Sequence, residues 1–217
     1  MKVLVFDTET TGLPEGRNPS IYQTDKWPYI LQLSYIIYDT DIQAILRYID
    51  CIIRIPDDVT ISDGSIEIHG ITREASNTQG IPIEEALADF DYWVKQCDLI
   101  VGHNISFDKR MLIVEHIRNR MRSGLGSEVR LPEYCTMKRG APICNIVVSP
   151  QDKKSYVKYP KLSELYMKLF SEEAQGVHNA FADVLLCLRC YCAMAHDADI
   201  KKDCSGIRQL FRYYCKS

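Results

Sequence analysis

The sequence predicts a mixed α/β fold, one sheet covered by helices. Three observations carry that expectation. The chain opens with three strand-like apolar runs. Helix-like and strand-like segments then alternate. A length of 217 residues with 46% hydrophobic and 25% charged side chains suits one hydrophobic core better than two. Residues 1–217 are therefore expected to form a single domain.

Each element has a local reason. Lys2 to Phe6 reads KVLVF, β-branched and aromatic, and leads into DTETTGLPEG, where Gly12, Pro14 and Gly16 supply turn chemistry; a strand ending at Asp7 to Glu9 follows. Leu31 to Tyr38 and Ile45 to Ile55 are two further strands, and the polar stretch between them suits an antiparallel hairpin. Ser62 to His69 reads as a short helix, Pro82 to Gln96 as a helix with Pro in its first turn, and Asp98 to Val101 as a short buried strand. Asn104 to Arg122 continues as a helix with Ile105, Met111, Leu112, Ile117 and Met121 among its apolar positions. From Ser123 to Lys161 periodicity fails under repeated Gly and Pro, which predicts a variable loop with at most one strand near Glu133 to Met137. Leu162 to Phe170, the strongly apolar Asn179 to Ala195, and Gly206 to Tyr214 complete the series as helices.

Composition excludes several function classes. With 26 basic against 29 acidic side chains and a net charge of -3, bulk basic charge does not grip duplex nucleic acid, although local patches can bind it. The greasiest segment, Leu185 to Met194, is too short for a membrane span and carries Arg189, so no membrane partner is expected. The first residues lack the apolar core of a secretion signal. An intracellular location, cytoplasm or nucleus, is the expectation, and the nine scattered cysteines read as reduced thiols. Cys187, Cys190 and Cys192 fall at a spacing that does not place three sulfurs on one helix face, so they read as small buried hydrophobes.

The chemistry lies in the carboxylates. Asp7 and Glu9 sit two apart at the end of a buried strand, so both point to one face of the sheet. Asp108 falls on the first turns of a helix leaving the strand that ends at Val101, with Asn104 four residues before it. Asp183 opens the apolar helix, five residues after His178. Five helical positions turn through about 140° net, so His178 and Asp183 converge only if His178 lies on the preceding loop, with Asn179 as N-cap. Four converging carboxylates repel one another and raise each other's pKa, which makes hard divalent cations, Mg²⁺ or Mn²⁺, their natural partners.

The segments FDTETTGLP, IVGHNISFD and HNAFADV together resemble the DEDDh family of 3′→5′ exonucleases, which has the ribonuclease H-like fold and includes the proofreading exonucleases of DNA polymerases. IHGIT at Ile68 to Thr72 is similar to a family segment beside the terminal nucleotide, and YPKLSELYMKLF to the one ahead of the last motif. The resemblance implies a ribonuclease H-like mixed sheet whose first three strands are antiparallel. It also implies two divalent cations about 3.5 to 4 Å apart, held by Asp7, Glu9, Asp108 and Asp183, with Asp7 bridging both and His178 as general base. Terminal-nucleotide binding falls to the backbone of Thr8 to Thr10, with Leu13 wedging against a base and His69, Asn104 and Phe107 lining the pocket; Phe107 reads equally as core. The basic residues Lys138, Arg139, Lys153, Lys154, Lys158 and Lys161, interleaved with Tyr156 and Tyr159, have the composition of a strand-guiding loop and equally of a solvated one.

The implied activity is metal-dependent release of nucleoside 5′-monophosphates from the 3′ end of single-stranded or frayed DNA, with RNA open. A DNA polymerase or replication complex is a candidate partner. The alternatives are an exoribonuclease on the same fold and a non-catalytic nucleic-acid-binding or polymerase-associated module.

Overall fold

The computed structural model describes residues 1–125, 131–151 and 154–215. A five-stranded sheet forms from β1 (Lys2–Thr10), β2 (Ile30–Asp39), β3 (Ala44–Ile52), β4 (Leu99–Gly102) and β5 (Glu133–Cys135) in the order β3-β2-β1-β4-β5. The first three strands pair antiparallel, and β1–β4 and β4–β5 pair parallel. This is the expected mixed sheet. Between β3 and β4 run α1 (Asp63–His69), α2 (Arg73–Gln79) and α3 (Ile83–Val94), and α4 (Ile105–Arg118) follows β4.

Alternation along β1 separates the two larger hydrophobic clusters, and a third, smaller one forms around Leu31, Ile55, Ile61 and Ile71. Leu4 and Phe6 pack with Leu87 and Phe90 of α3 and Met111 and Leu112 of α4. On the other face Val3 and Val5 pack with α6 (Leu162–Phe170), α7 (Ala180–His196) and α9 (Ser205–Tyr214), through Leu165, Val184, Leu188, Ile207 and Phe211. Asp7 and Glu9 continue the odd-numbered face, and so point toward α7.

The segment 123–161 departs from the expected loop. β5 lies where a strand was anticipated, but α5 (Thr136–Cys144) follows directly, and β6 (Val147–Val148) pairs antiparallel with β7 (Tyr156–Val157). Pro142 stands inside α5, where it lacks a donor for the helix. Gly140 is a packing contact and not a break, since a Cβ there would come within 2.8 Å of Leu165 Cδ1. Tertiary packing against α6 thus overrides weak local propensity. The short helices α2 and α8 (Ile200–Asp203) were also not anticipated. Lys153, one of the basic residues named for this segment, lies outside the described residues, as does Gly126 among its glycines.

Candidate active site

β4 pairs with β1 only from Val3 to Val5, so Asp7 and Glu9 lie beyond the β4 ladder, where α4 and α7 pack against β1. A tight turn makes the approach possible. A Cβ at Gly102 would sit only 3.1 Å from Ile105 Cβ, tighter than an ordinary contact, and Asn104 adopts the left-handed conformation at φ 68° as the N-cap of α4. Asp108 therefore falls in the first turn of α4, where the helix dipole favours an anion. Its Oδ1 accepts from the Thr8 amide at 3.2 Å and from Thr8 Oγ1 at 2.8 Å.

The third contribution comes from the start of α7. Asn179 caps the helix, its side chain accepting from the amides of Phe181 and Ala182 at 3.2 Å. His178 lies just outside, on the loop, as convergence requires. Its φ is 71°, its side chain is exposed, and its amide donates to Asp183 Oδ2 at 3.2 Å. The loop is seated on the C-terminal helix: a Cβ at Gly176 would meet the Tyr214 carbonyl oxygen at 2.5 Å.

A buried polar network fixes this corner, and its members were not among the anticipated site residues. The Ala180 amide donates to Gln32 Oε1 at 3.2 Å. Gln32 Nε2 and Ser34 Oγ each donate to Asp50 Oδ1 at 2.7 Å. Gln32 pairs across from Glu9 and Ser34 across from Asp7. The available signal was two polar residues, Gln32 and Ser34, inside the otherwise apolar strand ILQLSYIIYD.

Asp7, Glu9 and Asp183 each offer a carboxylate oxygen, and these oxygens lie within 4.8 Å of one another. Burial, followed by the fields of Asp108, Asp183 and Glu9, holds the Asp7 carboxyl well above the ordinary range. Burial and the charges of Asp183 and Asp108 raise Glu9 to about 8. Burial raises Asp183 to about 7 against the lowering effect of the His178 amide. Asp108 also reaches about 7, driven by burial and opposed by its bonds from Thr8. Asp183 Oδ1 is buried without a hydrogen-bond partner. An orphaned anionic oxygen beside two further carboxylates fits a hard divalent cation.

The remaining anticipated residues border this cluster. His69 Nδ1 accepts from the Ile71 amide at 3.0 Å, so its Nε2–H is free to donate to the Thr10 carbonyl at 3.2 Å; burial lowers its pKa, and the neutral ring pins the end of β1. Thr10 Oγ1 donates to the Gly12 carbonyl at 2.7 Å, shaping the turn that presents Leu13. Leu13 is 83% exposed, a large apolar side chain left open to solvent. It lines one cleft with Asn104 and Phe107, and Phe107 also packs against the core. Phe107 thus touches both the cleft and the core.

The basic segment is partly neutralised. Lys158 Nζ meets Glu164 Oε1 at 2.6 Å, and the Lys161 amide donates to Glu164 Oε2 at 2.7 Å as α6 begins. The cysteines are free thiols, with Cys187, Cys190 and Cys192 buried. Among the described residues no helix is long and apolar enough to cross a membrane.

Residues 4–191 match the family model described as RNase_T, exonuclease, so the chain belongs to that exonuclease family. Asp7, Glu9, Asp108, His178 and Asp183 all fall within the matched span. Among solved structures, E. coli Exonuclease I in complex with a dT13 oligonucleotide superposes with a TM-score of 0.63 at 17% identity, covering 98% of this chain and 43% of that one. The nuclease domain of 3′hExo, a DEDDh family member bound to rAMP, gives a TM-score of 0.61 at 15% identity over 92% of this chain and 94% of that one. A 3′-exonuclease recognising a histone mRNA stem-loop gives 0.63 at 13% identity, over 92% and 65%. This chain thus spans less than half the length of the Exonuclease I chains it matches. No curated protein matches the sequence.

Proposed function

We propose that this chain is a divalent-cation-dependent 3′→5′ exonuclease that releases nucleoside 5′-monophosphates from single-stranded or frayed 3′ ends, with DNA favoured. The observation that carries the reading is the meeting of Asp7, Glu9 and Asp183 around an unpartnered carboxylate oxygen, with Asp108 anchored beside them on Thr8. The oligonucleotides in the Exonuclease I complexes and the rAMP in the 3′hExo domain support a nucleic-acid end as substrate.

Asp7, Glu9 and Asp183 would hold a pair of Mg²⁺ or Mn²⁺ ions together with Asp108. When bound, such ions supply Lewis-acid activation of water and neutralise charge on the departing 3′-oxygen. His178 takes the proton from the attacking water at an imidazole nitrogen, and its exposed loop position lets it reach and leave the site with the substrate. Leu13, Asn104 and Phe107 enclose the terminal nucleotide, and the backbone from Thr8 to Thr10, braced by His69, binds its 3′ end. An exoribonuclease is the second reading, favoured by similarity over nearly the whole 3′hExo nuclease domain. A polymerase or replication complex as partner rests on the family resemblance.

One assay tests the reading. Linear single-stranded DNA, the same sequence as RNA, and a closed circular DNA are incubated with the protein in Mg²⁺, Mn²⁺ or chelator, beside Asp7→Ala. Linear DNA shortening from its 3′ end only with metal is the expected result. Equal cutting of the circle, or undiminished turnover in Asp7→Ala, overturns it.

A further inference from the structure

The cleft lined by Leu13, Asn104 and Phe107 does not end at those residues. Its volume is about 350 Å³, and it shares Asn18, Pro19, Ser106 and Arg110 with a groove of about 580 Å³ that runs along α4 to Ile113 and Glu133. The Arg110 guanidinium donates to Asn18 Oδ1 where the two meet. The loop after β1 forms one wall and α4 the other.

The charge of this groove is one-sided. Arg17, Lys109 and Arg110 line it, and Glu133 is the acid among its described lining residues. Lys109 engages Glu133 at 2.5 Å, which cancels one pair. Arg17 is exposed and has no ion-pair partner among the described residues; Arg110 bonds only to the neutral Asn18. Two guanidinium groups are left without a counter-charge, and guanidinium is the side-chain cation best matched to a phosphodiester.

We propose that this groove is the track for the substrate strand on the 5′ side of the scissile bond, its backbone neutralised by Arg17 and Arg110. The proposal rests on the exonuclease reading and adds a footprint to it. The nine steps from the N-cap Asn104 to Ile113 of α4 span about 14 Å at 1.5 Å each, the length of about four stacked nucleotides at 3.4 Å each. Phe107 and Leu13 at the entrance supply the apolar surface on which bases stack, and cations follow, the pairing that single-strand binders use. The β6–β7 hairpin is the weaker track, because Glu164 already engages Lys158.

The test measures kinetics on single strands of 2, 4, 6 and 8 nucleotides for the wild type, Arg17→Glu and Arg17→Ala/Arg110→Ala. KM for the wild type is expected to fall with length to about five nucleotides and then level off. The double variant raises KM for the octamer about tenfold, leaves the dinucleotide within about twofold, and weakens the salt dependence by about 1.4 in slope, two phosphate contacts at about 0.7 each. Arg17→Glu, at an exposed position without a partner, must act in the same direction without a change in melting temperature. A length-independent KM, or equal effects on dinucleotide and octamer, overturns the track. Binding of a labelled octamer in Ca²⁺, followed by anisotropy, reads the groove without turnover. Wild-type binding weakened by the arginine variants supports the track even where hydrolysis fails and the exonuclease reading falls; unchanged binding refutes it.

Discussion

Replacing Asp183 with Asn is expected to stabilise the metal-free protein while abolishing turnover. Folding raises the Asp183 carboxyl from the ordinary 3.8 to about 7, so the folded chain binds that proton more tightly than the unfolded chain does. The stability linked to this proton is complete below the unfolded value and is lost as pH rises through the folded one, levelling off above about pH 7. Three pH units at 1.36 kcal/mol each set an upper bound of about 4 kcal/mol at pH 8. Solvent at the partly exposed carboxyl and the sharing of protons with Asp7 and Glu9 reduce this to about 2 kcal/mol. For a chain of this size that raises Tm by about 4 to 8 °C. The amide is isosteric and keeps an oxygen for the His178 N–H, so relief of charge is the main change. The assay is thermal melting of both proteins in chelator at pH 5 and pH 8, and again in Mn²⁺. The gap should be wide at pH 8 and narrower at pH 5, and the wild type should regain stability with Mn²⁺, about 2.7 kcal/mol at a concentration of 100 times Kd, where the variant gains little. A variant that melts at or below the wild type in chelator at pH 8 refutes the reasoning.

Three further predictions concern neighbouring groups. His178→Ala should lower kcat by about 10² to 10⁴ and flatten the acid limb of the kcat–pH profile; a loss of melting temperature with an unchanged profile would reduce His178 to a loop-packing residue. Thr8→Val removes the hydroxyl that donates to Asp108 Oδ1 at 2.8 Å, so the Asp108 carboxyl should rise further and kcat/KM fall by at least about tenfold, the scale of a group supporting a metal ligand; Thr8→Ser should restore both, and a silent Thr8→Val would show that Asp108 needs no anchor. Ca²⁺ should support binding of a single strand without hydrolysis, because its larger and looser coordination misplaces the attacking water, and brisk cleavage in Ca²⁺ would contradict the proposed geometry.

The fold was legible where one residue pattern admits one explanation. KVLVF beside two apolar runs predicts three antiparallel strands, and ILQLSYIIYD does lie between β1 and β3. The acidic set was legible because side-chain alternation ties Asp7 to Glu9 and the His178 loop could be inferred from helical geometry, and the structure joins Asp7, Glu9 and Asp183. Reading failed where tertiary contact decides. α5 forms across Gly140 and Pro142 because Gly140 admits Leu165, a contact between residues 25 positions apart. Arg189 marked a limit on hydrophobicity in the sequence, yet in the structure it is 1% exposed and clamps Glu172 at 2.9 Å and Asp199 at 2.7 Å, tying α7 to the elements that flank it. Single charges in apolar helices reveal that they need partners, and not which ones.

The same packing explains why the acidic cluster must be relieved by a bound species. Asp7 and Glu9 stand on a strand paired residue for residue with β2, opposite Ser34 and Gln32, and cannot splay apart without breaking the ladder. Asp183 rides on a helix whose neighbouring residues Ala182, Val184 and Leu185 are wholly buried, and whose first turn is held by Asn179 and Gln32. Separation of the backbones that carry these three carboxylates is thus closed as a route of relief. Asp108 meets its own burial with two donors from Thr8, whereas Asp183 Oδ1 has none. What is left is uptake of protons, which the raised pKa values favour, or uptake of cations, which restores the ionised state. On the proposed reading, the rigidity of the sheet and α7 turns this electrostatic repulsion into affinity for divalent cations.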